Sequence, residues 1–569
     1  MSSSADQLVT GVAPWRRPEH QPDILDVIAQ LSSDEVPTPP RLAAAVLDLL
    51  PGEVWTDPTL RWLNPATKSG SLLREVTRRL MVGLAEWEPD PSRRREHILR
   101  NMVFGCAITR LTGEMSRRSV YLSRDAAGPH SAVRFDDAEG NLRFVPVEHD
   151  YPTGRDGRPS GPCRVCGAPV GLERGPDREN YAYAFIHGAY PTKEMAGMQF
   201  DVIVGNPPYQ TGMRDADGNR TANILPLYHL FVQNAIALNP RYITMIVPSR
   251  WFNGGKGLDE FRAQMINDRR LRVIVDNPKL FDPACFGPGV EIKGGVNYFL
   301  WDREWDGDCQ FSTRIDGQIV STATRDLREG DGVVLRDNDA AAIVHKVRQK
   351  TTQILADVVS PNDPFGQSLK TNFKGAALEP FDGSIPLVFG THVGYVHPDQ
   401  LERNHAWVDQ YKVLIPKAGD GHGREVSYVL GEPIALGPGS ACTQSYLVAG
   451  VFDTAVEAEN YAWYLTTKFV RFLVLQRKST QHLRPDRFRF VPALDMTRRW
   501  TDADLYAHFG LDDDEIAHIE ATIRPRTVNL NLESPEPASH LPGGRKYKAP
   551  GTRAATMAEA PVEEDEEDL

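Results

Sequence analysis

The chain of 569 residues has only six cysteines, and just Cys163 and Cys166 stand close together. So few thiols argue against a disulfide framework and point to a reducing compartment, the cytoplasm. No run of 18 or more apolar residues occurs, which argues against a membrane-spanning helix. The opening MSSSADQLVTGVAPW lacks the basic-then-apolar order of a secretory signal. Basic charge is also short, with a formal net charge of −12. That balance looks wrong for a chain that binds a polyanion, but its distribution matters more than its total. Seven acids, Glu559 to Asp568, fall in the last eleven residues with no base among them. No internal repeat is visible, and no two acids and a lysine fall on adjoining strand-like runs as a metal-dependent nuclease requires.

What is present is an alternation of strand-like and helical runs. Residues 1–30 show no clear period and read as an amino-terminal extension. Between Pro39 and Leu50 the apolar residues Leu42, Ala45, Val46 and Leu49 recur at helical spacing, with Thr38 as N-cap and Pro39 in the first turn. Strands are expected at 60–63, 101–108, 200–204, 242–247, 271–275 and 296–301, and helices at 72–84 and 257–270. In the latter helix Leu258, Phe261, Met265 and Ile266 share a face. This order predicts an α/β domain over 31–305 with a largely parallel sheet. From 306 the alternation fades into short strands and Gly- and Pro-rich loops, predicting a separate α+β domain over 306–525. Residues 526–569, poor in aromatics and rich in Pro, Gly, Ala and acids, read as a disordered tail.

The segment FDVIVGNPPYQ, residues 200–210, carries the most chemical information. A β-branched run ends at Gly205, and Pro207 and Pro208 force the chain out of the sheet in an extended form. The Asn206 amide, the Pro207 carbonyl and the Tyr209 ring are thereby set at the carboxyl end of a strand, where open α/β sheets bind ligands. An amino nitrogen whose lone pair is delocalised into a ring, as in adenine, is a poor nucleophile. Two fixed acceptors, the Asn206 oxygen and the Pro207 carbonyl, would favour its pyramidal form. Tyr209 would stack on a base flipped from the duplex. The other reading of the segment is a Pro-Pro turn closing a strand, with Tyr209 simply packing.

In its order of segments the chain resembles the γ-class adenine-N6 DNA methyltransferases, in particular the methylase part of type IIG-like restriction–modification and phage-defence enzymes. The resemblance covers roughly 34–525 and is strongest over 200–301, including YITMIVPSRWFNGGKGLDEFR and GGVNYFLWD. It implies a Rossmann-like methyltransferase domain, a C-terminal target-recognition domain, S-adenosylmethionine as cofactor and double-stranded DNA as substrate. It also implies that Asn206, Pro207, Pro208 and Tyr209 form the catalytic loop. Thr38 and Pro39 match the segment closing over the cofactor, and Asn64, Pro65, Ala66, Thr67, Lys68, Ser69 and Gly70 match the cofactor loop. Departures are visible: Asn64 stands where Asp is usual and Lys68 where Gly is common. Ala107 replaces the acid that holds the ribose, with Thr109 shortly after, and His187 replaces the aspartate near the cofactor adenine.

Cys163-Arg164-Val165-Cys166-Gly167 has the shape of a zinc knuckle within a loop inserted near 149–187. Two more ligands are needed, and His149 and His187 are nearest in sequence. A pair of reduced exposed thiols is the alternative; a redox pair lacks a thioredoxin-like setting. Phosphate contacts are expected from a basic stretch, Lys468, Arg471, Arg477, Lys478, Arg484, Arg487 and Arg489, in which Asp486 is the single acid; a solvated helix face is the bland alternative. Cleavage or translocation in a restriction system would fall to separate nuclease or helicase subunits. Two rivals stay open: methylation of an RNA base or a glutamine side chain by the same motif, and a catalytically inert DNA-binding subunit of a defence complex.

Overall fold

The structure is a computed structural model. It describes residues 38–526 except 169, 171–182, 196, 211–224, 256, 280–285, 287–291, 293, 372, 391, 419–427 and 479–481. The expected extension 1–30 and the tail beyond 526 lie outside the described residues. Two compact units divide the chain between Asn338 and Asp339.

In the first unit, nine strands build one sheet, its central strands buried on both faces. They are β1 (Trp62–Thr67), β2 (Val103–Ala107), β3 (Leu142–Phe144), β4 (Val202–Gly205), β5 (Tyr242–Pro248), β6 (Leu271–Asn277), β7 (Val296–Asp302), β8 (Cys309–Ile315) and β9 (Gln318–Arg325). Their order is β3-β2-β1-β4-β5-β7-β6-β8-β9. The first five in that order run parallel, and β7 is antiparallel to both β5 and β6. This is a Rossmann-like sheet whose order reverses where β1 pairs with β4.

Alternation along each strand divides the core between the two faces of the sheet. Leu63, Ile203 and Ile243 enter one cluster. Their neighbours Trp62, Val202, Val204 and Tyr242 enter the other, with residues of α1 (Pro40–Leu47) and α2 (Ser71–Gly83). The expected strands are found, displaced by a residue or two at their ends; the expected 60–63 strand begins at Trp62 and runs on to Thr67.

Helix α1 differs from expectation at its start. Its N-cap is Pro39 with no side-chain cap, Pro40 opens the first turn, and Leu42, Ala43, Val46 and Leu47 are buried. Thr38 sits one residue before the cap, so its hydroxyl is free for another task. The sheet also continues past residue 305. Strand β8 pairs parallel with β6, and β9 closes an antiparallel edge hairpin. The outer face of β9 is exposed, so its sequence carries little apolar signal.

The second unit is α+β. It holds two three-stranded sheets, made of β10 (Ile385–Phe389), β11 (His392–Val396), β12 (Tyr411–Pro416), β13 (Ile434–Leu436), β14 (Ala441–Cys442) and β15 (Tyr446–Phe452). Helices α3 (Ala455–Thr466) and α4 (Lys468–Leu475) follow β15.

The carboxyl ends of β5 and β6 are joined by an ion pair whose acid is buried. Asp276 is 0% exposed and accepts from Arg336 Nε at 2.7 Å, Arg336 Nη2 at 2.9 Å and Ser249 Oγ at 2.6 Å. Burial raises its carboxyl above the ordinary range, against the pull of Arg336 and Ser249. Arg336 is 28% exposed and also donates to the Gly294 carbonyl, so it stays solvated without the acid, whereas the buried Ser249 loses its acceptor. Asp276→Ala should therefore destabilise the first unit by about 1–3 kcal/mol. A denaturant melt followed in that unit checks this, and an unchanged midpoint would contradict it.

Candidate active site

Because β1 and β4 are neighbours, the loops leaving their carboxyl ends meet. Asn206 is 2% exposed and its Nδ2 donates to Thr38 Oγ1 at 3.1 Å. The amide is thus turned with its nitrogen toward Thr38, which fixes the opposite direction for its acceptor oxygen. Thr38 is itself held from the other loop, since Ser71 Oγ donates to its carbonyl at 2.7 Å. A cavity between these groups is lined by Thr38, Asn64, Ala66, Lys68, Ser69 and Gly70, together with Asn206.

The irregular carboxyl-terminal half of β1 and the loop after it are shaped by their own side chains. Asn64 Oδ1 accepts from the Ala66 amide at 3.0 Å, which turns the chain at Pro65. Gly70 has φ +77°, and a Cβ there would lie 2.8 Å from Ser116 Cα. The position therefore demands glycine and lets α2 start against its neighbouring helix. No side chain caps α2, so its first amides face the cavity end of the helix without a local acceptor.

Of the segment expected as the catalytic loop, Asn206 lines this cavity. Pro207, Pro208 and Tyr209 are buried with Asn206. The Tyr209 ring has Lys68 Nζ 5.7 Å from its centroid and the Phe286 ring at 6.4 Å, inclined at 76°. Phe286 was missed as a site residue, because its contact with Tyr209 joins positions far apart in the sequence.

Two residues expected at the cofactor are committed elsewhere. Thr109 is the N-cap of the 110–121 helix, in a reciprocal capping box with Thr112. His187 lies beside His149, with ring centroids 5.7 Å apart. It belongs to a group with Cys163 and Cys166 whose ligand atoms all fall within 4.8 Å of one another. Burial lowers the His187 pKa to about 4 and raises that of Cys166 to about 12, the latter opposed by hydrogen bonds from the Ala168 and Cys166 amides. The structure thus moves His187 away from the cofactor role that the resemblance implied.

The basic stretch is mostly spent inside the second unit, which corrects the expectation of one phosphate-binding patch. Arg471 is 1% exposed, and its Nε donates to the carbonyls of Thr466 and Thr467, capping the carboxyl end of α3. Arg477 is 7% exposed and lies over the Phe490 ring. Lys468 pairs with Glu520, Lys478 donates to the Val429 carbonyl, and Arg487 donates to the Arg477 carbonyl and pairs with Asp486. Arg484 and Arg489 remain exposed. Buried cations here complete helix ends and cover apolar rings, a use that composition cannot distinguish from a binding surface.

The parallel sheet with its reversal at β1 and β4, and an Asn-Pro-Pro-Tyr segment at the β4 end, define a methyltransferase-type α/β protein. The chain belongs to the family of adenine-specific methylases: it is 31% identical over 347 residues to an uncharacterised adenine-specific methylase of Mycoplasma pneumoniae, covering 57% of this chain and 80% of that one. Residues 101–281 match the Eco57I restriction-modification methylase family. Among solved structures, the type IIG restriction endonuclease BpuSI matches at 13% identity with a TM-score of 0.36, over 87% of this chain and 62% of that one. The DrdV–DNA complex matches at 12% identity and a TM-score of 0.40, over 86% and 58%. A solved structure from a type I restriction-modification system matches over 47% of its length, so the chain spans about half of it.

Membership in a methylase family implies S-adenosylmethionine as donor, and the cavity fits one in part. Small residues at Ala66, Ser69 and Gly70 and the uncapped start of α2 suit a polar nucleoside. The described lining residues include no carboxylate. The Thr38–Asn206 bond should matter to rate. Thr38→Val is expected to slow methyl transfer about tenfold, the equivalent of one hydrogen bond of about 1.4 kcal/mol. Thr38→Ser should retain the rate; equal rates for wild type and Thr38→Val in single-turnover assays would contradict the role.

Proposed function

We propose that this chain methylates the exocyclic amino group of adenine in double-stranded DNA as part of a restriction–modification or phage-defence system. The observation that carries the reading is the buried Asn206, held by Thr38 at the carboxyl end of β4 beside the loop from β1. The Asn206 oxygen and the Pro207 carbonyl would accept the two amino hydrogens and turn the nitrogen lone pair outward. These acceptors are fixed before the reaction and cost no reorganisation during it. The donor, when bound, supplies a methyl group on a positively charged sulfur. The amino nitrogen gains that methyl and sheds one hydrogen as a proton to solvent. Tyr209 and Phe286 offer ring faces to a base lifted out of the duplex.

Methyl transfer would reside in the first unit and target choice in residues of the second, with Arg484 and Arg489 as its remaining candidate phosphate contacts. Cleavage or translocation would need other subunits. The chain departs from the inert-subunit rival because its acceptor loop is intact and its amide is oriented.

Incubation with labelled S-adenosylmethionine and unmethylated DNA, followed by digestion to nucleosides, tests the reading. Label is expected in N6-methyladenine, and Asn206→Ala should lower it about 100- to 1,000-fold while donor binding persists. Label in RNA or protein substrates instead would contradict it. Arg484→Ala should weaken DNA binding and reduce the slope of log affinity against log salt by about 0.9, one phosphate contact. An unchanged slope would remove Arg484 from the interface.

A further inference from the structure

The segment joining β3 to β4, residues 145–201, is long, and its described parts hold turns and a single short 3-10 turn at Lys193–Met195. A long connection with so little regular structure among its described residues is costly to order unless something ties it down. Its cysteine knuckle is tightly folded: the Cys163 amide donates to the Ala168 carbonyl at 2.7 Å and the Gly167 amide to the Cys163 carbonyl at 2.9 Å. Gly167 has φ +71°, which the turn requires. The Arg164 amide donates to the Asp150 carbonyl at 2.8 Å, and this sets His149 beside the knuckle, with Cys166 Sγ 3.3 Å from its Nδ1. His187 arrives from a third stretch, the turn 183–188, which is pinned to the 228–237 helix by Asn234 Nδ2 donating to the Phe185 carbonyl.

We propose that His149, Cys163, Cys166 and His187 bind one zinc ion, which staples the 145–190 segment to the sheet. The four ligand atoms converge within 4.8 Å. A tetrahedral ion with Zn–S of about 2.3 Å and Zn–N of about 2.0–2.1 Å sets an S–N edge of roughly 3.5 Å, close to the Cys166–His149 separation. Two thiolates and two neutral imidazoles also balance the ion's charge, so the complex can be half-buried without an unpaired charge. The set of two sulfurs and two nitrogens suits zinc among divalent ions, and no coordination position is left open for catalysis. His187 Nε2 is buried with no hydrogen-bond partner among the described residues, as expected of a ligand awaiting an ion.

The consequence reaches the active unit. Cys163, Cys166 and residues 183–186 lie in the same core cluster as Leu63, just before the donor segment, and Ala66 within it. The ion therefore holds this loop as part of the core wall beneath β1. This inference is independent of the methyl-transfer reading.

Metal analysis of the full chain purified from zinc-replete medium under reducing conditions tests it, together with cobalt(II) replacement. One zinc per chain is expected, and cobalt should give the strong visible bands and the thiolate charge-transfer band of a tetrahedral site. His149→Ala and His187→Ala should each weaken zinc binding by roughly 10–100-fold or more, and zinc removal should expose the 149–187 region to protease. Absence of zinc together with absence of a thiolate–cobalt band in the wild-type chain would overturn the proposal, whatever the variants do. Unchanged zinc affinity in both histidine variants would overturn the four-ligand assignment.

Discussion

The site depends on the pairing of β1 with β4, which brings Trp62 opposite Val202 and Leu63 opposite Ile203. These strands are separated by more than 130 residues of chain, and their adjacency is where the strand order reverses. Both leave the sheet at the same edge, so a small-residue loop and a Pro-Pro segment face each other across a crevice. The remaining contacts follow from that constraint. Thr38 bridges the two loops, accepting from Asn206 through its hydroxyl and from Ser71 through its carbonyl. Buried β-branched strands with cores on both faces keep the two loops from drifting, because a slip of one residue would exchange the faces.

What the sequence made legible was whatever rests on local chemistry. The run Val202–Gly205 ends where two prolines must end it, so the position of Asn206 followed from backbone rules. The strands at 242–248, 271–277 and 296–302 announced themselves as largely apolar runs because most of their residues are buried. The hairpin of β8 and β9 did not, since half of its residues face outward at the sheet edge. Phe286 was invisible because its contact with Tyr209 joins distant positions, and no period marks such a pair.

Charge was the least legible property. Seven bases between 468 and 489 read as a binding face, yet Arg471 caps a helix end and Arg477 covers a ring. The difference lies in the apolar residues between them: Phe469, Val470, Phe472, Leu473 and Val474 are all buried, so a cation on the same short helix is drawn inward. His187 is the opposite case. Its place before the catalytic strand suggested a cofactor contact, but the turn that carries it faces the cysteine knuckle, and the histidine follows. Thr109 is held in its own capping box. On the proposed reading, donor recognition rests on the segment from Asn64 to Gly70 and the start of the following helix.

That claim is tested most directly by ultraviolet cross-linking of labelled S-adenosylmethionine to the purified chain, with the labelled peptide identified by mass spectrometry. The account predicts label within the segments that line the crevice, residues 38–41, 62–74 or 204–209. Label confined to any other segment would contradict the placement of the donor at the β1–β4 crevice.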